Sequence, residues 1–144
     1  MTEPRRRRGL ALPRGTGRPR RDRRALRRGG EGVGAALNQV VGAWEGVRIT
    51  PMFGRWGYFV GEHLFGCYPV RVKDHDLWVR LSRSDQVRAL AGTGVRPHRR
   101  FAARGWIECD VADPGELSRA LKWLRHGYEY VRRAPPLTPP SARD

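Results

Sequence analysis

The stretch from Pro51 to Phe65 constrains the fold more than any other part of the sequence. Aromatic and β-branched residues lie on both sides of Gly61-Glu62, and such residues favour strands. A glycine in a two-residue connection supplies the positive φ that other residues resist, so this stretch predicts a β-hairpin. Gly54 and Gly57 flank Arg55-Trp56. We interpret these two glycines as places where the backbone bends or another group comes close, with a β-bulge as the expected cause.

Hydrophobic periodicity predicts the elements around this hairpin. Residues 32–45, residues 82–91 and the segment that begins at Asp113 follow a helical pattern. Strands are predicted at 47–52, 58–60, 63–72, 77–81 and 105–111, and residues 97–104 form a short strand or a loop. The order predicts an α+β two-layer sandwich, α-β(3)-α-β(2)-α, whose mostly antiparallel sheet of about five strands carries its helices on one side.

The same periodicity predicts which residues of each helix face the core. In the first helix these are Val33, Ala36, Leu37, Val40, Val41 and Trp44. In the second they are Val87, Leu90 and Ala91, and in the last Leu117, Leu121, Leu124, Tyr128 and Val131. The residues Asp113-Pro114-Gly115-Glu116 give the last helix a strong start, because aspartate caps the free amides and glutamate reaches back to them.

Charge divides the chain into three parts. Residues 1–30 carry twelve arginines against Glu3 and Asp22, which supplies about ten of the fifteen net positive charges. This segment has almost no apolar periodicity, so we expect a disordered basic arm that can contact phosphates. Residues 31–134 form the predicted domain, and 135–144 a Pro-rich disordered tail. The sequence has no apolar run long enough for a membrane span or a signal peptide, which predicts a cytoplasmic protein.

The sequence contains no motif that indicates catalysis, a cofactor or a metal. Cys67 and Cys109 lie in predicted strands without a CxxC pattern, which indicates buried, inert thiols. The group Asp74-His75-Asp76 is the one compact cluster of acidic and imidazole side chains, and a solvated turn explains it better than a metal or acid–base site. We therefore expect no enzyme activity and no cofactor.

Two surface features are candidates for binding. The first is a set of basic and aromatic residues that suits phosphate contact and base stacking: Arg55, Trp56, Trp78, Arg80, Arg96, Arg99, Arg100 and Arg104. A solvated face in an arginine-rich composition is the simpler explanation. The second is the pair Trp123 and Tyr130, which lies off the predicted apolar stripe of the last helix. Such aromatics suit an interface, although partial burial would also explain them.

Several segments of the chain resemble the N-terminal domain of the TfoX/Sxy family. They are Met52-Phe53-Gly54, the hairpin Gly57-Tyr58-Phe59-Val60-Gly61, Leu77 to Leu81, Gly94 to Pro97, and Leu121 to Pro136. The resemblance covers about residues 33–136. It implies a fold akin to YjbR-like and secretion-chaperone-like domains, often dimeric, linked to the regulation of competence and without an established catalytic activity.

Three hypotheses follow for the function. The first is a non-enzymatic regulatory or interaction domain that forms a homodimer and binds partner proteins. The alternative is nucleic-acid binding through the basic arm and the loop 96–104, with Arg55, Trp56, Arg99, Arg100 and Arg104 as contacts. The third is a small hydrolase or redox enzyme that uses Cys67 or the Asp74-His75-Asp76 cluster.

Overall fold

The computed structural model describes residues 30–135 of the 144-residue chain. The predictions of a disordered arm at 1–30 and a disordered tail at 135–144 lie outside these residues, apart from Gly30 and Pro135 themselves. Within 30–135, no helix combines the length and the apolar character needed to cross a membrane.

The described residues form three helices and six strands. Helices α1, α2 and α3 span Gly30–Gly42, Arg83–Leu90 and Leu117–Arg132. Strands β1 to β4 span Val47–Met52, Arg55–Val60, His63–Pro69 and Asp76–Arg80, and strands β5 and β6 span Val95–Pro97 and Trp106–Asp110. Short 3-10 turns lie at Ala102–Arg104 and Pro114–Glu116.

The strands form one antiparallel sheet in the order β1-β2-β3-β4-β6-β5, and the helices pack on one face of it. The predicted α+β two-layer sandwich is therefore confirmed. Four strands precede α2, in agreement with the strands predicted at 47–52, 58–60, 63–72 and 77–81 but not with the three in the formula α-β(3)-α-β(2)-α. Met52 pairs with Arg55 across a turn made only of Phe53 and Gly54.

The glycines around Arg55-Trp56 have different roles. Phe53 and Gly54 have φ angles of 50° and 76°, the positive values that a two-residue hairpin turn requires, so the bulge predicted at Gly54 is wrong. The irregular register lies between Tyr58 and Phe59 instead. Gly57 is a place of close approach, as expected, because a β-carbon there would lie 2.8 Å from Met52 Sδ.

Helix α3 packs close to the sheet through small residues. A β-carbon on Gly127 would lie 2.7 Å from the Arg80 carbonyl oxygen, and one on Gly66 would lie 2.6 Å from Leu124. The buried side of α3 therefore includes Ala120 and Gly127. The predicted stripe of large apolar residues did not include these two positions. The buried residues of α3 are Ala120, Trp123, Leu124, Gly127, Tyr128 and Val131, whereas Leu117 and Leu121 are half-buried.

The buried side of α3 differs from the predicted apolar stripe, and this difference corrects one site prediction. Only 7% of the surface of Trp123 is exposed, and the residue belongs to the core cluster. The prediction that Trp123 lies off the core face is therefore wrong. Tyr130 lies off the core and is only partly exposed, which fits the predicted position and also the alternative of partial burial. The start of the helix matches the prediction, since Glu116 Oε1 accepts hydrogen bonds from the backbone amides of Ala112 and Asp113 at 2.9 and 3.2 Å.

Helices α1 and α2 also differ in part from their predicted faces. In α1, Val33, Leu37 and Val41 are buried as predicted, but Val40 is exposed. In α2 the buried residues are Gln86 and Ala89, and the prediction that Val87 faces the core is wrong. Gln86 turns inward because its side-chain amide donates hydrogen bonds to the carbonyl groups of Ala102 and Trp106, which a hydrophobic pattern does not reveal.

Candidate functional site

The open face of the sheet, away from the helices, carries much of the predicted basic surface. Gly66 and Val79 pair on the helix side, so their neighbours Cys67 and Trp78, which also pair, point to the open face. Glu108 pairs with Trp78 on this face. Residues 98–101 fold over it, and the His98 ring lies 4.3 Å from the ring of Trp78 in an edge-on contact.

Arg55 is the centre of a polar network on the open face. Its Nε donates to Cys67 Sγ at 3.1 Å, and its Nη1 lies 3.3 Å from Asp76 Oδ2. Its guanidinium lies over the ring of Trp78, 3.9 Å from the ring centroid, and Trp78 Nε1 donates to the same Asp76 oxygen at 2.9 Å. Only 14% of the Arg55 side chain is exposed, so this arginine is a structural clamp and not a free cation.

Two of the four arginines in the loop 96–104, Arg96 and Arg99, are neutralised as well. Arg96 binds Glu108 at 3.0 Å and Asp110 at 3.3 Å, and Arg99 binds Glu108 at 3.4 Å. Burial would raise the pKa of Glu108, but hydrogen bonds from Arg99 and the charge of Arg96 outweigh it and hold this pKa below its ordinary value. A nucleic-acid surface made from this loop therefore loses much of its positive charge to internal ion pairs.

The residues predicted to contact nucleic acid do not share one surface. Trp56 pairs with Tyr68 and packs against the core, so it points away from its neighbour Arg55. The prediction that Trp56 joins the basic surface is therefore wrong. Arg100 is exposed, and its backbone amide donates to His98 Nδ1 at 3.0 Å. Arg104 lies elsewhere, in a cleft at the end of β4.

Cys67 has a partner that sequence spacing did not reveal, because Arg55 reaches it across the β2–β3 pair. Burial raises the pKa of the Cys67 thiol, and the opposing effect of Arg55 is smaller. The thiol therefore stays protonated near neutral pH, which argues against a nucleophile. Among the described residues, no group of three or more His, Cys, Asp or Glu side chains is arranged to hold a metal, and Asp76 is committed to Arg55 and Trp78.

The most exposed large apolar side chain among the described residues is Phe53, at 95% of full exposure. It lies at the tip of the β1–β2 hairpin, in a left-handed conformation that costs a bulky residue on the order of 1–3 kcal/mol. Val70 lies beside it, because its amide donates to the Gly54 carbonyl at 3.0 Å, and Val72 follows; both are more than two-fifths exposed. We call Phe53, Val70 and Val72 the apolar end.

A second feature lies at the opposite end of the strands. A cleft of about 290 Å³ opens there between the end of β4, the start of α2, the 3-10 turn at Ala102–Arg104 and the end of α3. Its lining includes Arg80, Arg83, Arg104 and Tyr130, and we call these four residues the arginine end. The sequence analysis put Arg80 and Arg104 in one basic set and Tyr130 in a separate interface, and it did not single out Arg83.

Comparisons with known proteins define the fold but not a family. A scan against protein-family models finds no match, and a search of curated proteins also finds none. Among solved structures, the chain is similar to the Deinococcus radiodurans protein DR2400, which carries a DUF419 domain. The likeness has a TM-score of 0.58 at 14% sequence identity, over 69% of this chain and 78% of that one. The chain therefore has a YjbR-like α+β fold.

Proposed function

We propose that the chain is a cytoplasmic, non-enzymatic interaction domain of the TfoX N-terminal kind, which acts as a homodimer in competence or transcription regulation. The observation that carries this proposal is Phe53. A nearly fully exposed phenylalanine in a left-handed turn is unfavourable both for hydration and for backbone conformation. Such a residue is explained if its ring is buried when a second molecule binds.

The surroundings of Phe53 support a second copy of this chain as the first partner to test. Strand β1, which leads into Phe53, is an edge of the sheet, and Val70 and Val72 extend the apolar surface beside it. An apolar centre next to an edge strand suits a two-fold contact, in which each copy presents the same patch to the other. The sequence resemblance to often-dimeric TfoX-like domains points in the same direction.

The experiment compares the oligomeric state of the wild type with that of Phe53→Asn. Asparagine is well tolerated at φ 50° before glycine, so this variant retains the turn and removes only the aromatic ring. We expect the wild type to sediment as a dimer at high micromolar concentration and the variant as a monomer. We also expect the variant monomer to be as stable as the wild type or more stable, by about 0.5–1 kcal/mol.

Val87→Asn is the matched control. Val87 is also an exposed apolar residue, on α2, and valine and asparagine have similar helix propensities. The control variant should remain dimeric. A wild type that sediments as a monomer throughout the concentration range, or a Phe53→Asn variant that dimerises as tightly as the wild type, would contradict the proposed dimer.

A further inference from the structure

The arginine end gathers positive charge without an acidic partner on the cleft wall. Arg80, Arg83 and Arg104 all line the cleft, and none of its lining residues within the described part of the chain is a carboxylate. Elsewhere in residues 30–135 many arginines bind acidic groups, as Arg55, Arg96 and Arg99 do. A cleft with three guanidinium groups and no carboxylate attracts an anion.

One of these arginines has an unmet hydrogen-bonding requirement. Arg80 Nε is buried and has no partner among the described residues, whereas its guanidinium lies 5.7 Å from the ring centroid of Tyr130. A buried donor without an acceptor is costly, so a small shift of the Arg80 side chain that brings Nε to an acceptor oxygen of a ligand would lower the free energy of this site. Phosphate oxygens match the planar donor geometry of arginine.

The cleft is held in shape by backbone geometry. Gly105 has a φ of 96°, and a β-carbon there would collide with the Leu81 carbonyl oxygen. The Leu81 amide donates to the Gly105 carbonyl at 3.0 Å, and Gln86 holds Ala102 at 2.7 Å. These contacts fix the turn that carries Arg104 against the strand and the helix that carry Arg80 and Arg83, so the site is formed before a ligand binds.

Tyr130 adds an aromatic surface between two clefts. Tyr130 is 36% exposed and lines both the arginine cleft and a neighbouring cleft of about 210 Å³. In the neighbouring cleft Arg125 and Arg133 lie with Asp85 and Glu129, and Arg125 binds Glu129 at 3.0 Å. The arginines without an acidic partner on the cleft wall therefore lie on one side of the ring, which suits a base stacked on the ring with a backbone phosphate in the arginine cleft. Bases of a duplex are already stacked on each other, so this geometry favours an unpaired strand.

We propose that the arginine end is a binding site for single-stranded nucleic acid. Arg83 and Arg104 bind the phosphate groups, Arg80 donates to a phosphate oxygen from the cleft floor, and Tyr130 stacks on a base. This site shares Arg104 with the nucleic-acid surface that the sequence suggested, but not Arg55, Trp56, Arg99 or Arg100. It lies at the other end of the strands from Phe53, so it does not depend on the proposed dimer contact.

The first test measures binding of a fluorescently labelled ten-residue oligothymidine to the full chain as a function of salt. Arg83→Gln with Arg104→Gln should weaken binding roughly tenfold at low salt. It should also make the slope of log affinity against log salt less steep by about 1.4, since each single-strand phosphate contact contributes about 0.7. The control is Arg71→Gln with Lys73→Gln, which removes the same charge at exposed positions outside the cleft.

The control keeps residues 1–30, so any binding by that segment affects both variants equally. Equal losses in the two double variants would show that only net charge matters and would overturn the proposal. A ten-residue oligoglutamate that binds the cleft as tightly as the oligothymidine would overturn it too, because the site would then prefer an acidic peptide.

The second test separates stacking from charge. Tyr130→Leu should weaken binding of oligothymidine roughly fivefold and leave binding of an abasic strand of the same length unchanged. The oligothymidine should also shift the backbone amide signals of Arg83, Gly105 and Tyr130 in the wild type. An absence of shifts at these amides with the oligothymidine would overturn the site, whatever the overall affinity.

Discussion

The two ends of the sheet are built by different means, although both depend on a backbone with positive φ. At the apolar end, Phe53 and Gly54 make a two-residue turn within one hairpin, so all determinants of the conformation are adjacent in sequence. At the arginine end, Gly105 brings together side chains from β4, α2, a 3-10 turn and α3. The turn at Phe53-Gly54 exposes a single side chain, whereas the turn at Gly105 packs against elements distant in sequence and forms a cleft with them.

The two ends also differ in what surrounds their charges. Beside the apolar end, Arg55 is neutralised by Asp76 and covered by Trp78, so it adds no free charge next to Phe53. At the arginine end, three guanidinium groups line a cleft without an acidic lining residue in the described part of the chain. This contrast suggests that one protein uses an apolar contact at one end and an anion contact at the other.

The largest effect is expected from Gly105→Ala, which tests whether the arginine end depends on its glycine. Alanine at φ 96° is strained, and its β-carbon would collide with the Leu81 carbonyl. The free energy of unfolding, measured by urea denaturation, should fall by about 3 kcal/mol. Gly115→Ala is the control, because a β-carbon there meets nothing within 4 Å, and equal losses in the two variants would contradict this explanation.

A smaller effect is expected from Arg55→Lys, which tests the clamp beside the apolar end. Lysine keeps the charge but cannot reach Cys67 and Asp76 together or stack flat on Trp78. Unfolding free energy should fall by about 1–2 kcal/mol. Arg48→Lys, at an exposed position on β1, should change it by less than about 0.5 kcal/mol, and a result that reverses this order would show that Arg55 is not a clamp.

The smallest effect is expected from pH and concerns the loop next to the arginine end. His98 is buried, and its Nδ1 accepts hydrogen bonds from the amides of Arg100 and Phe101 at 3.0 and 3.1 Å, which requires an unprotonated nitrogen. Burial lowers the pKa of His98 below its ordinary value of 6.5, although the charge of Glu108 opposes this shift.

The unfolded chain therefore binds a proton on His98 at a higher pH than the folded one. The stability that depends on neutral His98 is complete above pH 6.5 and is lost as the pH falls from there through the folded pKa, with a slope of at most about 1.4 kcal/mol per pH unit. His98→Gln should be less stable at neutral pH and should lack this part of the pH dependence. An unchanged pH profile in thermal unfolding would assign the effect to other groups.

Local signals in the sequence predicted most of the fold. The Gly61-Glu62 hairpin, the capping residues before α3 and the helical periods all depend on residues a few positions apart, and the structure contains each of them. The two errors at aromatic site residues have different causes. The sequence does not reveal the close approach of Gly127 to Arg80, with which the burial of Trp123 is associated. Trp56 and Arg55 are adjacent in β2, so strand alternation puts them on opposite faces once the strand is known to begin at Arg55.

The sequence alone determined the order of helices and strands, the helix caps and the hairpin at Gly61, because these follow from backbone conformation and from apolar spacing within single segments. Only the tertiary structure decided which charges are neutralised and which line a cleft. Arg55 and Arg104 have the same chemistry and both follow or precede a glycine, yet one is clamped by Asp76 and the other lies beside Arg80 and Arg83. Their different surroundings arise from segments distant in sequence, whose packing against each other fixes the electrostatic environment of each side chain.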